Sequence, residues 1–163
     1  MTLILARALT LGAVAWVLLV LVAPAALGSG SLAGAAAYLY AAASRVCHQL
    51  PDRSFAIGEV QLPVCARCFG LYLSGATGAV LAWFGASGAV RRARSLLLVL
   101  AIPTGVTWGL EVIGLAGFSN MSRALAALPL GGAAGWVFVR MLRYDAESHG
   151  REIHHSRTPA RFG

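Results

Sequence analysis

The sequence predicts an all-α membrane protein: a bundle of four transmembrane helices, a short alanine-rich interfacial helix and a loop that carries cysteine and histidine. Hydrophobic residues make up 58% of the chain and charged residues only 12%, about half the charged share of an average soluble domain. The apolar residues form stretches of about 20, the length that crosses a hydrocarbon core. We therefore expect contact with the lipid bilayer, a single transmembrane domain over residues 1–143 and a disordered polar tail over residues 144–163.

Four apolar stretches have the length of a membrane span. They cover about residues 3–23, 63–84, 95–116 and 121–141. Pro63 stands where proline is favoured, in the first turn of the second predicted helix, and Pro103 predicts a kink in the third. The first stretch also fits a signal peptide cleaved within residues 1–25, and either interpretation leaves the residues that follow on the outer side.

Between the first two spans lie two segments of different character. Residues 31–46 are rich in alanine, and their apolar part is too short for a full crossing. With Tyr38 and Tyr40 as anchors, this segment predicts a helix that lies in the membrane interface or packs on the bundle. Residues 44–62 are polar and predict the motif loop.

The basic residues indicate how the protein is oriented in the membrane. All 13 are arginines, and they stand at the ends of apolar spans, which indicates topology and not nucleic-acid binding. With both termini in the cytoplasm, most arginines lie inside, as the positive-inside rule requires. Those inside are Arg7, Arg91, Arg92, Arg94, Arg140, Arg143, Arg151, Arg157 and Arg161. The motif loop then lies on the outer face of the cell membrane.

Three spans carry small residues at four-residue spacing. Such a face lets another helix approach closely, within the chain or in an oligomer. The small residues are Gly70, Ser74 and Gly78 in the second span, Gly105 and Gly109 in the third, and Gly131 and Gly135 in the fourth.

The residues that can do chemistry are concentrated between Cys47 and Tyr72, a stretch that contains all three cysteines. Cys65 and Cys68 lie one helical turn apart near a predicted helix start, where the helix dipole favours thiolate. Cys47 and His48 precede them by a loop of zinc-site length. The sequence therefore predicts a metal site of Cys47, Cys65 and Cys68, with zinc as the ion and either His48 or water as the fourth ligand.

Two other interpretations of the cysteines stay open. In the first, Cys65 and Cys68 form an exchanging disulfide, with Cys47 as the resolving thiol of a membrane thiol–disulfide oxidoreductase. In the second, a structural disulfide joins Cys47 to one of the other two. No Ser–His–Asp set, P-loop or dinucleotide fingerprint is present in the sequence, so it predicts no particular reaction and leaves open whether the protein is an enzyme.

Further polar residues are expected on the same outer face. An ionisable group inside a span is costly, which makes Glu111 a functional candidate. Glu111, Arg53 and Arg67 are the candidates for a catalytic role or for binding a small anionic ligand. Residues expected around the metal ligands or in contact with a ligand are Gln49, Gln61, Asn120 and Arg123. The structural alternative is a Glu111–Arg123 ion pair with an asparagine cap that joins two helices.

Two motifs in this stretch resemble the prokaryotic small membrane-protein family catalogued as domain of unknown function 2085. The motifs are Cys-His-Gln-x-Pro-x-Arg-Ser-Phe over residues 47–55 and Pro-Val-Cys-Ala-Arg-Cys-x-Gly-x-Tyr over residues 63–72. The resemblance implies a multi-pass membrane protein with a cysteine–histidine site, and it implies no reaction. Relatives often carry an acid where this sequence has Thr107, and Glu111 lies one turn later.

Overall fold

The computed structural model describes residues 2–84 and 92–156, and within these residues the chain is mostly helical. Its helices are α1 (Thr2–Leu27), α2 (Ala33–Ala43), α3 (Ala66–Leu81), α4 (Ala93–Val112) and α5 (Asn120–Ser156). A 3-10 turn (Pro51–Arg53) leads into an antiparallel hairpin of β1 (Ser54–Ile57) and β2 (Val60–Cys65). Arg91 and residues 157–163, which the sequence assigns to the cytoplasmic side, lie outside the described residues.

Three helices are long and apolar enough to cross a membrane. They are α1, α4 and the Asn120–Ser148 part of α5. The helix at the second predicted span, α3, has only 16 residues, fewer than the about 20 of a usual crossing. The described residues thus contain three candidate membrane spans rather than the four that the sequence predicts.

The second predicted span begins as a strand, which corrects the expected helix start at Pro63. Residues up to Cys65 belong to β2, and α3 begins at Ala66. The strand register shifts opposite Pro63. Ser54 pairs with Cys65 and Ala56 pairs with Gln61, so β1 has one residue between the two pairs where β2 has three. A bulge leaves strand N–H groups without a ladder partner, and proline, which has no N–H, is tolerated at such a position.

The predicted motif loop over residues 44–62 is also more ordered than expected, because the hairpin occupies its second half. Gly58 has a φ of +63° and is the first of the two residues that connect β1 to β2. This matches a type II′ hairpin turn, in which only the first of the two central residues has a positive φ. Glycine adopts this conformation without strain. The hairpin carries the chain from the 3-10 turn directly into α3.

The last helix continues beyond the end that the sequence predicts. Instead of ending near residue 141 before a disordered tail, α5 continues to Ser156. Arg143 lies over the Trp83 ring at 5.1 Å and donates a hydrogen bond to the carbonyl of Ala82, so it ties this part of α5 to the end of α3. Elongation of an existing helix needs no new nucleus, and the residues just after Arg143 contain no helix breaker.

The four longer helices, α1, α3, α4 and α5, alternate in direction along the bundle. Near one end, Ala6 of α1 packs with Ala82 and with Val139 of α5. Near the other, Val20 of α1 packs with Val64, just before α3. Helices α3 and α5 therefore run parallel to each other, and α1 runs antiparallel to both. Helix α4 is antiparallel to α5, because Thr104 hydrogen-bonds the carbonyl of Ala126 while residue 111 reaches back to residue 123.

The alanine-rich helix α2 packs on the bundle. A short turn connects it to the end of α1, and its last residue, Ala43, contacts Val20, so α2 folds back along the C-terminal half of α1. Of its two tyrosines, Tyr38 is exposed, whereas the Tyr40 hydroxyl donates a hydrogen bond to the carbonyl of Gln61 in β2. One tyrosine thus fixes α2 to the hairpin.

Backbone contact between α3 and α5 forms the centre of the bundle. A Cβ atom added at Gly70 would meet the carbonyl of Ala124, and one added at Gly78 would meet the carbonyl of Gly132. Gly135 of α5 is equally close to the backbone of α3. Two of the three small-residue faces thus pack against each other inside the chain. The third differs, because at Gly105 and Gly109 no described atom lies within 4 Å of an added Cβ.

The close contact between α3 and α5 predicts that replacing a helical glycine with alanine changes the free energy of unfolding differently at Gly78 and at Gly105. Gly78→Ala should lower the free energy of unfolding by about 1–3 kcal/mol, because the added methyl group overlaps backbone that cannot move independently. Gly105→Ala, the matched control, should leave it unchanged or raise it by up to about 1 kcal/mol, because alanine has the higher helix propensity. Thermal unfolding in detergent micelles measures both, and equal effects would contradict the α3–α5 contact.

Candidate metal centre

The three cysteine sulfur atoms come together at one end of the bundle. Cys47 follows α2, Cys65 ends β2 and caps the N-terminus of α3, and Cys68 lies in the first turn of that helix. Their Sγ atoms all lie within 4.8 Å of one another, and all three are free thiols. Cys47 is 5% exposed and the other two are half-buried, so the cluster is closed on one side and open on the other.

Cys47 is brought to the start of α3 by its own backbone and by packing. Its N–H donates to the carbonyl of Ala43, which continues the last turn of α2 by one more hydrogen bond of 2.9 Å. Val20 and Val64 cover the Cys47 side chain. The backbone N–H of Cys65 then donates to Cys47 Sγ at 3.1 Å, which fixes the sulfur at the start of α3.

A glutamine clasp fixes the segment that follows Cys47. Gln49 has a φ of +50°, which is unusual for a residue with a side chain. Its Nε2 donates to the carbonyls of Tyr40 at 2.8 Å and of Pro63 at 2.7 Å, and Gln61 Nε2 donates back to the Gln49 carbonyl at 3.2 Å. These bonds hold the strained backbone in place. The two glutamines that the sequence assigns to the surroundings of the metal ligands thus join α2 to β2.

The electrostatics of the cluster favour an ionised sulfur at Cys65. A hydrogen bond from the Cys68 thiol lowers the pKa of Cys65 to about 5, with burial opposing the shift and contacts from Cys47 and the Arg67 backbone adding to it. A pKa in this range is typical of cysteines at helix N-termini in Cys-x-x-Cys motifs. The cluster can therefore present a thiolate at neutral pH.

Beside the cysteines, one buried carboxylate joins two arginines. Glu111 of α4 accepts from Arg67 of α3 at 3.0 Å and from Arg123 of α5 at 2.6 Å. The Glu111 side chain is 4% exposed. Arg67 also donates to Thr107 Oγ1 at 3.4 Å. The Glu111–Arg123 ion pair that the sequence leaves as the structural alternative is present, and it includes a second arginine.

The start of α5 continues this network to the hairpin. Arg123 donates to Asn120 Oδ1 at 2.8 Å, and Asn120 Nδ2 donates to the carbonyl of Ser54 at 3.0 Å. The helix cap is made by Ser119, whose Oγ accepts from the N–H of Ser122 at 3.1 Å. Asn120 therefore has a different task from capping, since it ties α5 to the segment that leads to the cysteines.

A cavity of about 270 Å³ opens beside the sulfur atoms. The charged and sulfur-bearing residues around it are Cys47, His48, Arg53, Cys65, Arg67, Cys68 and Arg123. His48 is exposed and lies outside the group of neighbouring ligand atoms, which among the described residues contains only the three cysteines. The structure thus brings together three of the four predicted metal ligands and places His48 on the wall of the same cavity.

Some features of the site carry no sequence signal. Trp108 lines the cavity, and a tryptophan in an apolar span looks the same whether it faces lipid or a site. The carbonyl of Asp52 accepts a hydrogen bond from Arg123 at 3.4 Å, and a backbone acceptor is present at every residue. The positive φ at Gln49 is equally hidden, because glutamine shows no preference for that conformation.

Comparison with known proteins is consistent with this architecture. The model of a family described as a predicted membrane protein, domain of unknown function 2085, matches residues 47–137, more than half of the chain. An uncharacterized protein of Methanothermobacter thermautotrophicus is 31% identical over 86 residues, which are 53% of this chain and 78% of that protein. An uncharacterized protein of Methanocaldococcus jannaschii is 49% identical over 43 residues, 26% of this chain and only 28% of that protein. No solved structure matches the chain.

The buried carboxylate yields a stability prediction. Glu111→Gln removes the only negative charge that the described residues place between Arg67 and Arg123, and should lower the free energy of unfolding by about 3–5 kcal/mol. The matched control is Asp52→Asn. Asp52 is 75% exposed and lies 3.8 Å from Arg53, so its loss should cost at most about 1 kcal/mol. Unfolding in detergent micelles measures both, and equal small losses would contradict the network.

Proposed function

This chain belongs to the family of predicted membrane proteins described as domain of unknown function 2085, and from that premise we propose that it is a multi-pass membrane protein with an extracytoplasmic metal site. Cys47, Cys65 and Cys68 hold one divalent ion, zinc, at the N-terminus of α3. The observation that carries this proposal is the clustering of their three sulfur atoms within 4.8 Å.

The sulfur geometry fits a shared ion. Zinc lies ~2.3 Å from a cysteine sulfur, so the sulfur ligands of a tetrahedral ion are separated by ~3.8 Å. Small side-chain rotations bring the cluster to that spacing. A disulfide of ~2.05 Å would join only two of the three sulfurs and leave one thiol over. Thiolate ligands select zinc among the common divalent ions.

Three protein ligands leave one position of the ion open. This arrangement is typical of zinc sites that bind a water or a substrate, whereas structural sites have four protein ligands. His48 is on the wall of the cavity and can supply the fourth ligand, or solvent can. Glu111 serves as the counter-charge of two arginines, because each of its oxygens accepts from a guanidinium group.

The proposed topology has four spans, with α3 as a short one. At a rise of ~1.5 Å per residue, α3 is ~24 Å long. It packs against α1 and lies along α5, one of the candidate spans, while Leu73, Val80 and Leu81 stay exposed. The alternation of helix directions is what four successive crossings produce. We place α2 on the outer side, packed against the end of α1.

The arginine distribution supports the orientation. The bundle end opposite the cysteines carries arginines at the start of α1, at the start of α4 and in the second half of α5. Those in the described residues are Arg7, Arg92, Arg94, Arg140, Arg143 and Arg151. By the positive-inside rule this end is cytoplasmic, and the cysteine site faces outward.

A second candidate function is thiol–disulfide exchange. The observation that favours it is the position of Cys65, which starts a Cys-x-x-Cys motif at a helix N-terminus and has a pKa lowered to about 5 by its hydrogen bond from Cys68. A thiolate of this kind attacks disulfides, with the second cysteine of the motif as the partner thiol. The buried Cys47 sulfur would then be the resolving thiol.

Elemental analysis with thiol titration separates the two functions. Protein purified in detergent without added metal should carry about one zinc per chain, and its thiols should react only after a chelator is added. Cys47→Ser should lower zinc affinity at least tenfold, because it removes one of three ligands. Protein without metal, whose thiols appear only after reductant, would exclude the metal site and support thiol exchange.

His48→Ala serves as the control within the same cavity. If solvent supplies the fourth ligand, this variant keeps the zinc content of the unmodified protein while Cys47→Ser loses it. Loss of zinc in both His48→Ala and Cys47→Ser would assign the fourth ligand position to His48. Zinc retained in Cys47→Ser would contradict the three-cysteine site.

A further inference from the structure

We infer that the cavity beside the three cysteines is a binding site for a phosphate-type oxyanion, held by Arg67 and Arg53. The inference rests on the proposed function, since the charge and the open position of the metal centre enter its argument, and it names the ligand class of that site. Three observations carry it: the lining of the cavity, an unused donor on Arg67 and the charge balance.

The cavity combines a basic wall with an apolar one. Three arginines, Arg53, Arg67 and Arg123, line it together with the cysteines, while Trp108 and Leu50 supply apolar surface. Its volume of about 270 Å³ is close to the lower end of small-molecule sites, about 300 Å³. A few polar groups in a mostly apolar cleft are the usual composition of such sites.

The guanidinium of Arg67 is only partly used by the protein. Its Nη2 donates to Glu111 and Thr107. Its Nε is buried, and no described residue accepts a hydrogen bond from it. A guanidinium has five N–H donors, and the hydrogen bonds that described residues accept from Arg67 all come from Nη2, so further donors of this cavity-lining side chain are left for a ligand. The pair with Glu111 fixes the guanidinium in place before any ligand arrives.

The charge balance leaves the cavity positive. No acidic side chain among the described residues lines it, and Glu111 neutralises one of the two arginines that it joins. A zinc ion with three thiolates carries one net negative charge. Asp52, beside Arg53, is screened by water because it is mostly exposed. The three arginines carry three positive charges, and Glu111 and the zinc centre carry one negative charge each. One positive charge therefore remains for a ligand.

Phosphate fits these donors best. Guanidinium groups present parallel N–H donors that match two oxygens of a phosphate, and Arg is the preferred residue for this contact. The same chemistry is present in free phosphate and in the headgroup of an anionic phospholipid. In the proposed topology the cavity lies at the outer ends of the spans, where both can reach it.

The test uses the zinc-loaded full chain in dodecyl maltoside micelles, which contain no phosphate. The variants are Arg53→Gln, Arg67→Gln and the control Arg45→Gln, an exposed arginine near the motif that does not line the cavity. Calorimetric titration with sodium phosphate tests the free ion, and native mass spectrometry after addition of phosphatidylglycerol tests the headgroup. Zinc content and circular dichroism are recorded for every sample.

We expect saturable binding of at least one probe in the unmodified protein and in Arg45→Gln. Affinity should fall about tenfold or more in the other two variants, which lose a charge-assisted hydrogen bond. Binding of phosphate alone identifies the free ion as the ligand, and retention of phosphatidylglycerol alone identifies the lipid. Because Arg53 is exposed, Arg53→Gln is informative even if Arg67→Gln fails to fold.

Two results overturn the inference: neither probe binds to zinc-loaded protein, or all three variants bind equally well. Failure of the proposed function is recognised separately. If the protein contains no zinc but binds phosphate through Arg53 and Arg67, the metal site is wrong and the oxyanion site is kept. If zinc is present and neither probe binds, the metal site is kept and the oxyanion site is wrong.

Discussion

The Glu111 carboxylate is the interaction on which the site end of the bundle depends. It joins Arg67 of α3 and Arg123 of α5 from a third helix, and it is almost completely removed from water. A buried charge is tolerated only when it is paired and hydrogen-bonded. Here the pairing fixes Arg67, which stands between Cys65 and Cys68 in the sequence, and it fixes Arg123, which reaches the hairpin through Asn120. The same carboxylate thus positions both α3, whose N-terminus lies at Cys65 and Cys68, and the hairpin that leads to it.

The two helices that carry the arginines of this network, α3 and α5, run parallel and lie unusually close. In a bilayer the lipid tails are as apolar as leucine, so helix association depends on close packing rather than on the hydrophobic effect. The contacts of Gly70 and Gly78 with the α5 backbone supply that packing. Because the two helices are parallel, both of their N-termini lie at one end. The partial positive charge of these N-termini adds to the arginines and makes this end favourable for thiolates and other anions.

The sequence predicted that the three cysteines come together, which the structure shows, and it predicted the local geometry around them less well. Three cysteines in an otherwise aliphatic chain can be recognised from composition, and an acid inside a span indicates a paired or functional group, as Glu111 shows. The helix start at Pro63 was wrong, because proline is equally acceptable at a helix N1 position and in a strand bulge, and the partner strand β1 decides between them. The clasp at Gln49 was not foreseeable, since its strained backbone is held by carbonyl groups from two other elements. The directions in which the adjacent side chains of Cys47 and His48 point depend on that same backbone.

The odd number of cysteines and the side of the membrane that they face together limit the chemical state of the sulfurs. On an outer membrane face, oxidants drive thiols into disulfides, whereas in the cytosol free thiols are the ordinary state. Three neighbouring cysteines cannot all pair within one chain, so oxidation would leave one reactive thiol beside a disulfide. A shared metal ion uses all three sulfurs at once and keeps each of them as a bound thiolate. If the site faces outward, as the arginines favour, metal binding is the state in which no sulfur is left exposed to oxidation.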